Sequence, residues 1–469
     1  QSDWYIDCSV KNENMTLMEG KERKYLIKQT AVPPLGVLYL GQVLHDNGYS
    51  VKVYDQAVTG VMNVELMELI KKLDPKIVGF SVLIDNLWTT FDLFKRLKNW
   101  NPNVITVAGN YFATFYPEEL MNEIELDFCI HGEGEYSLLN LVNQIFKQKK
   151  NFKEIRGLTF RENNTVKSTQ PPDKIKNLDE LPIPDRKLID FNYKLQNKST
   201  SILSSRGCPF NCRFCSFSAV MGRIWRPRSP KNIIKELLLL AEQGYKEILF
   251  VDDNFTLNKK RTYQICAEIK RNQLDYLNFS GDCRIDSVSI DLLRSLATIN
   301  CKKLVFGIES GNQRILDYYQ KGITIDQIKQ ALKTANKAGV EIIYGSFVLG
   351  APDETFVEAA NTIKFANKLD LSFIVFQILE TIPISSIYQE LVEKGLYKPK
   401  DDDWKKSLKV ADICPIAIPT NKILNLIDEG FVRFFNKRRI IKYIFETLKS
   451  DYYIDGLVQS IKNFRRGVM

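Results

Sequence analysis

The 469 residues are 44% apolar, enough for the cores of two or three domains, and no apolar run reaches the roughly 18 residues that a membrane helix needs. The formal charge of +9 comes from basic residues spread along the whole chain, which reads as a solvated surface with no nucleic-acid partner. Six of the nine cysteines are scattered without close pairs, which argues against a disulfide framework, and Gln1–Lys11 lacks the basic-then-apolar pattern of a secretion signal, so a reducing cytoplasm is expected.

Residues 1–150 alternate strands with helices. Strands are expected at Trp4–Cys8, Val51–Tyr54, Ile77–Val82, Val104–Ala108 and Phe128–Ile130, with helices at Val37–Leu44, Met62–Leu73, Trp88–Trp100 and Glu118–Ile124. This alternation predicts a doubly wound parallel sheet, whose ligands sit beyond the carboxyl ends of the strands. Those ends are Pro33–Gly36, Ser81–Asn86, Gly109–Thr114 and Gly132–Glu135. No G-x-G-x-x-G follows a strand, so a dinucleotide is not indicated. Residues 151–200 read as a linker, with a small hairpin over Ile155–Arg161 and Thr165–Ser168, then a Pro-rich extended strap at Pro171-Pro172 and Leu181–Pro184.

Residues 201–395 hold six strands: Ser201–Ser205, Ile248–Asp253, Asn278–Ile285, Lys303–Ser310, Ile342–Gly350 and Phe373–Glu380, with helices between them. After the first strand comes Gly207–Ser216, G-C-P-F-N-C-R-F-C-S. Three thiolates spaced as Cys208, Cys212 and Cys215 can hold three irons of a [4Fe–4S] cluster and leave the fourth iron open to a small molecule. The alternative is a structural trio or a zinc site, which would ask for a second ligand pair that does not follow. The other strand ends carry Asp252-Asp253-Asn254, Asp282 and Arg284, Glu309-Ser310-Gly311, Gly350 and Glu380-Thr381. Asp252 and Asp253 are expected at the mouth, as contacts to a cofactor or substrate. Arg284 has three candidate partners: Asp282, a cofactor carboxylate or an acidic substrate.

The cysteine spacing, with Phe214 before the last cysteine, resembles the radical S-adenosylmethionine (SAM) enzymes. The resemblance implies a partial (β/α)6 barrel whose open iron binds SAM and whose electron cleaves it to a 5′-deoxyadenosyl radical. It places Phe214 near the adenine, Glu309 of G-I-E-S-G on SAM, and Gly350 of F-V-L-G-A-P-D-E-T close to the cofactor; for Glu309 a carboxylate at a helix N-terminus is the structural alternative. P-P-L-G-V-L-Y-L, A-G-N-Y-F-A-T and H-G-E-G-E resemble the cobalamin-binding domain that precedes many radical SAM domains, which puts Gly36, Ser81, Gly109, Asn110, Glu133, Gly134 and Glu135 around that cofactor. The D-x-H-x-x-G signature of His-ligated cobalamin is missing, so His45 and His131 are expected not to bind cobalt. The strap, which includes L-D-E-L-P-I-P-D-R, also resembles the connector between such domains.

Residues 396–469 are expected to be helical, with Phe431, Phe434, Phe435, Ile441, Ile444, Phe445 and Leu448 on one face and Arg433, Lys437, Arg438, Arg439 and Lys442 elsewhere. This is either a cap on the barrel or an interfacial helix for an anionic membrane surface. The family resemblance implies methylation of an unactivated carbon, with two rivals: a radical cyclase or rearrangement enzyme, and a non-catalytic cofactor sensor. The expected partners are a hydrophobic or amphiphilic substrate and a low-potential donor such as ferredoxin or flavodoxin, in the cytoplasm or at the inner membrane surface.

Overall fold

The computed structural model describes residues 4–7, 32–59, 61–149, 151–189, 198–215 and 222–435. The described residues divide into two compact units, one through Ile189 and one from Lys198 onward.

The first unit is built on a seven-stranded sheet: β1 (Trp4–Asp7), β2 (Val51–Tyr54), β3 (Ile77–Ser81), β4 (Ile105–Gly109), β5 (Phe128–Ile130), β6 (Leu158–Glu162) and β7 (Thr165–Ser168). The order is β2-β1-β3-β4-β5-β6-β7; the first five are parallel and the last two antiparallel. The chain winds one way from β1 to β2 and the other way from β3 on. That reversal opens a crevice beyond the carboxyl ends of β1 and β3, where such folds bind ligands. The strands are short and apolar because helices cover both faces: Ile77 and Val78 are fully buried. The helix Asn63–Leu73 offers Leu66, Met67 and Ile70 to the sheet, and the helix Leu87–Trp100 offers Leu93, Phe94 and Leu97, both at helical spacing.

Two expectations need correcting here. The helices Asn110–Phe115 and Glu135–Phe146 were not anticipated, although Leu138, Leu141 and Val142 of the second recur at helical spacing. The segment expected to be a linker is built into this unit. Its hairpin extends the sheet as β6 and β7. Its Pro-rich part buries Ile175, Leu178, Leu181 and Ile189, bridges Val53 to Ile189, and donates the Asp185 N–H to Gln42 Oε1 at 2.9 Å. Proline makes that chain extended, but its apolar residues dock it.

The second unit carries six parallel strands in sequential order: β8 (Ser199–Ile202), then, past the two-residue pair β9 (Ser205–Arg206) and β10 (Arg226–Pro227), β11 (Glu247–Phe250), β12 (Asn278–Arg284), β13 (Cys301–Glu309), β14 (Ile342–Leu349) and β15 (Phe373–Ile378). A small ribbon, β16 (Glu380–Thr381) with β17 (Leu408–Lys409), follows. Side chains alternate along β13: Leu304, Phe306 and Ile308 are fully buried, while Lys303, Val305 and Gly307 on the other face are half-buried. The buried face meets the helices, as where Leu349 packs with Ala359 and Ile363. The half-buried face lines the inside of the partial barrel.

The helix Thr420–Phe434 packs against the helix Phe356–Lys368 and β15 through Ile423, Leu426 and Ile427. Gly430 permits the close approach, since a Cβ there would lie 3.0 Å from Ile363. Phe434 is fully buried, Phe431 rests on Phe376 and Phe435 on Phe373. The described start of the aromatic stripe is therefore a cap on the barrel. Ile441, Ile444, Phe445, Leu448 and the basic residues from Lys437 to Lys442 lie outside the described residues.

Candidate functional site

β8 delivers the chain to the carboxyl-end mouth, and Gly207 turns it into the cysteine loop. Gly207 has φ +86°, and a Cβ there would lie 2.4 Å from Ile224 O and 2.9 Å from Gly222 O, so only glycine fits. The Cys208 N–H then donates to Gly222 O at 3.3 Å and the Cys215 N–H to Cys212 O at 3.1 Å. The three motif cysteines are half-buried, whereas Cys129, Cys266, Cys283, Cys301 and Cys414 are buried. Burial pushes the Cys208 thiol up, and the charges of Asp253, Cys215 and Cys212 add to it, so the three sulfurs share one neighbourhood. Among the described residues no three His, Cys, Asp or Glu side chains converge tightly enough for a single metal ion.

Around this loop the mouth is ordered by partners that the sequence did not reveal. Asp252, just past the carboxyl end of β11, is buried. Its carboxylate accepts from the Ser204 N–H at 3.1 Å, the Ser204 hydroxyl at 2.8 Å and the Ser205 hydroxyl. It therefore braces the strand end ahead of the cysteines, and Asp253, exposed, is the carboxylate that faces outward. Glu309 stands at the end of β13 with φ +67°, a left-handed conformation that costs a non-glycine residue roughly 1–3 kcal/mol. Its carboxylate takes the Lys321 ammonium at 2.6 Å, both groups buried, and Gly307 leaves the room: a Cβ there would lie 2.5 Å from Glu309 Oε1. Lys321 also lies over the Phe214 ring at 5.6 Å, and Phe214 meets Tyr319 edge-on at 5.1 Å. Gly350, at φ +93°, donates its N–H to Glu354 Oε2 at 2.6 Å. Burial pushes Glu354 up to about 7 despite that bond and a second from the Ala351 N–H. Arg284 does not pair with Asp282, one of its three expected partners. It holds Asp286 with two bonds of 2.9 Å and reaches Cys212 Sγ at 3.5 Å. No sequence signal marked Lys321, which reaches Glu309 across twelve residues; Asp286, two residues from Arg284, and Glu354, inside the motif around Gly350, are local partners that the sequence reading passed over.

In the first unit, Ser81, Gly109 and Asn110 meet at the adjacent carboxyl ends of β3 and β4, where Asn110 Nδ2 donates to Ser81 Oγ at 2.9 Å. A Cβ on Gly109 would meet nothing nearer than Phe80 O at 3.9 Å, and one on Gly36 nothing within 4 Å, so both leave space for a large planar group to approach. The H-G-E-G-E turn makes contacts of its own within the unit. Glu133 accepts the Ile175 N–H at 3.1 Å, Gly134 is a packing position where a Cβ would lie 2.8 Å from Ile130, and Glu135 is buried. His131 Nε2 lies 2.6 Å from Thr159 Oγ1, and burial lowers the ring to about 4, while His45 is exposed on its helix. Open glycines beside polar strand ends fit a cobalamin, and the acidic turn also makes contacts within its own unit.

Residues 29–142 match the B12 binding domain family and residues 202–366 the radical SAM superfamily. The chain is 36% identical over 423 residues to an uncharacterized methyltransferase of Pyrococcus horikoshii, covering 89% of this chain and 91% of that one. The chain belongs to the cobalamin-dependent radical SAM family. It is also 27% identical over 432 residues to the anaerobic magnesium-protoporphyrin IX monomethyl ester cyclase of Rubrivivax gelatinosus, covering 88% of this chain and 75% of that one. Among solved structures, the radical SAM methyltransferase TsrM of Kitasatospora setae, with tryptophan substrate and a SAM analog bound, aligns with a TM-score of 0.71 at 18% identity over 84% of this chain and 76% of that one. At that identity the likeness bears on the fold: a cobalamin-binding unit followed by a radical SAM barrel. No helix among the described residues is long and apolar enough to cross a membrane.

Proposed function

We propose that this radical SAM enzyme transfers a methyl group to an unactivated carbon of an amphiphilic substrate. The observation that carries the reading is one chain holding both a cysteine loop suited to a [4Fe–4S] cluster and an open cobalamin crevice, with a relative named as a methyltransferase. Loaded with its cofactors, such a chain combines one-electron cleavage of SAM with delivery of a methyl group from cobalt. The residues divide the work. Cys208, Cys212 and Cys215 ligate the irons, Phe214 flanks the adenine, and Glu309, charge-balanced by Lys321, accepts SAM donors together with the exposed Asp253. Gly36, Ser81, Gly109 and Asn110 border the cobalamin.

The barrel's inner face supports an amphiphilic substrate. Asp282, on the same face of β12 as Ser280, is pushed up to about 6 by the burial around it. Lys303 lies over the Tyr344 ring at 4.4 Å, and Tyr344 meets Phe373 at 5.0 Å. Charge beside aromatic surface suits a molecule with both a polar and an apolar part. The described part of the aromatic stripe is barrel core and lends no support to membrane docking. A ferredoxin- or flavodoxin-type protein supplies the electron.

The test is anaerobic incubation of the reconstituted enzyme with cobalamin, titanium(III) citrate, trideuteromethyl-SAM and an extract of cells lacking the protein. The expected result is 5′-deoxyadenosine and S-adenosylhomocysteine together, with a new trideuteromethyl-bearing product. Deoxyadenosine alone, without labelled product, would mean a cyclase or rearrangement enzyme; neither nucleoside would mean a sensor. Bound cobalt(II) cobalamin is expected to show no superhyperfine splitting from a protein imidazole, because His131 is committed to Thr159 and His45 lies on the helix away from the strand ends. Splitting that disappears in His131→Ala would overturn that assignment.

A further inference from the structure

Arg284 ends β12 almost fully buried, with its guanidinium held on every side. Nε and Nη2 each donate to the Asp286 carboxylate at 2.9 Å, and Nη2 also donates to Lys321 O at 2.6 Å. Nη1 points to Cys212 Sγ at 3.5 Å. The guanidinium carbon stands 3.6 Å from the centroid of the Phe210 ring, in the segment between Cys208 and Cys212. A planar fork gripped by a carboxylate, a carbonyl and a ring cannot rotate toward a substrate. Its one remaining direction is the cysteine sulfur.

We propose that Arg284 is a positioning residue that sets the reduction potential of the cluster by directing a fixed positive charge and an N–H···S bond at Cys212. The proposal rests on the assignment of Cys208, Cys212 and Cys215 as cluster ligands. Reduction adds one negative charge to the cluster, so a nearby cation stabilises the reduced form more than the oxidised one, and burial strengthens the effect. Asp286 opposes it: the carboxylate aims the guanidinium but offsets part of its charge. Phe210, stacked on the same guanidinium, ties the loop's shape to the same residue.

The test is a redox titration of the cluster in the reconstituted enzyme without SAM, followed by electron paramagnetic resonance. Arg284→Gln is expected to disfavour reduction by about tenfold or more, equivalent to about 59 mV for a one-electron couple. Arg284→Lys, which keeps charge but loses the fork, should fall between it and wild type, and Asp286→Asn should raise the midpoint. SAM cleavage by Arg284→Gln should be lost with reduced flavodoxin and return with titanium(III) citrate. A full cluster with wild-type midpoints in Arg284→Gln and Asp286→Asn overturns the proposal. So does an Arg284→Gln protein that loses its cluster while Asp286→Asn keeps the wild-type midpoint. A wild-type protein that binds no iron–sulfur cluster overturns the ligand assignment instead, and iron and sulfide analysis separates that failure from the others.

Discussion

Alanine at Cys208, Cys212 or Cys215 is expected to abolish reductive cleavage of SAM and to strip most of the iron from the reconstituted protein. The cluster needs three thiolates because each takes a different iron, and nothing near the loop replaces a lost one: the five other described cysteines are buried. Burial pushes the Cys129 thiol upward and that of Cys266 to about 12, which disfavours the thiolate that binds metal. Cys266→Ala and Cys414→Ala should accordingly keep the cluster and serve as controls. The loss should amount to several orders of magnitude in deoxyadenosine formation, because removing the electron source leaves no slower route. Iron and sulfide analysis with electron paramagnetic resonance checks it, and a triple alanine variant that still carries a full cluster would refute the ligand assignment. Gly207 bears on the same point. Its φ of +86° and the Ile224 carbonyl 2.4 Å from a would-be Cβ make the loop's entry intolerant of any side chain.

Much of this was legible before any coordinates. Alternation of apolar segments located all six barrel strands and the five parallel strands of the first unit, since period and turn chemistry are local properties. Facing and partners are harder to read, because they depend on the folded backbone. Asp252 and Asp253 lie past the end of β11, where the chain enters a turn and the local backbone decides which carboxylate faces the interior. Asp252 turns inward to Ser204 and Ser205 while Asp253 stays exposed. On β12, Arg284 and Asp282 share a face two residues apart and still do not pair. The guanidinium instead turns past the strand end to Asp286, whose two carboxylate oxygens accept from Nε and Nη2. The buried pair Glu309–Lys321 spans twelve residues and a helix, a distance at which spacing carries no information. The strap reads from sequence as a semi-rigid extended linker because proline signals extension. Extension says nothing about docking, and Ile175, Leu178 and Leu181 are what dock it.

Phe434→Glu is expected to unfold the second unit or shift its denaturation midpoint strongly, without a selective effect on lipid binding. From sequence alone the stripe that starts at Phe431 fits a barrel cap or a membrane-surface helix equally well, because both need one apolar face. Burial separates them. Phe434, the last residue of the helix that packs on β15, is fully buried and edge-on to Phe435, which in turn meets Phe373 on the strand. Removing such a ring costs about 3–5 kcal/mol through lost transfer energy and the cavity left behind. A carboxylate in its place adds the penalty of burying an unpaired charge, which together approaches the total stability of many domains, roughly 5–15 kcal/mol. Val432, two residues away and exposed, gives the contrasting substitution: Val432→Glu should leave the fold intact. Denaturant unfolding of both variants beside flotation with anionic vesicles decides the matter. If Phe434→Glu folds normally and loses only vesicle binding, the stripe faces lipid; if it unfolds while Val432→Glu does not, the helix is a structural lid on the open edge of the barrel.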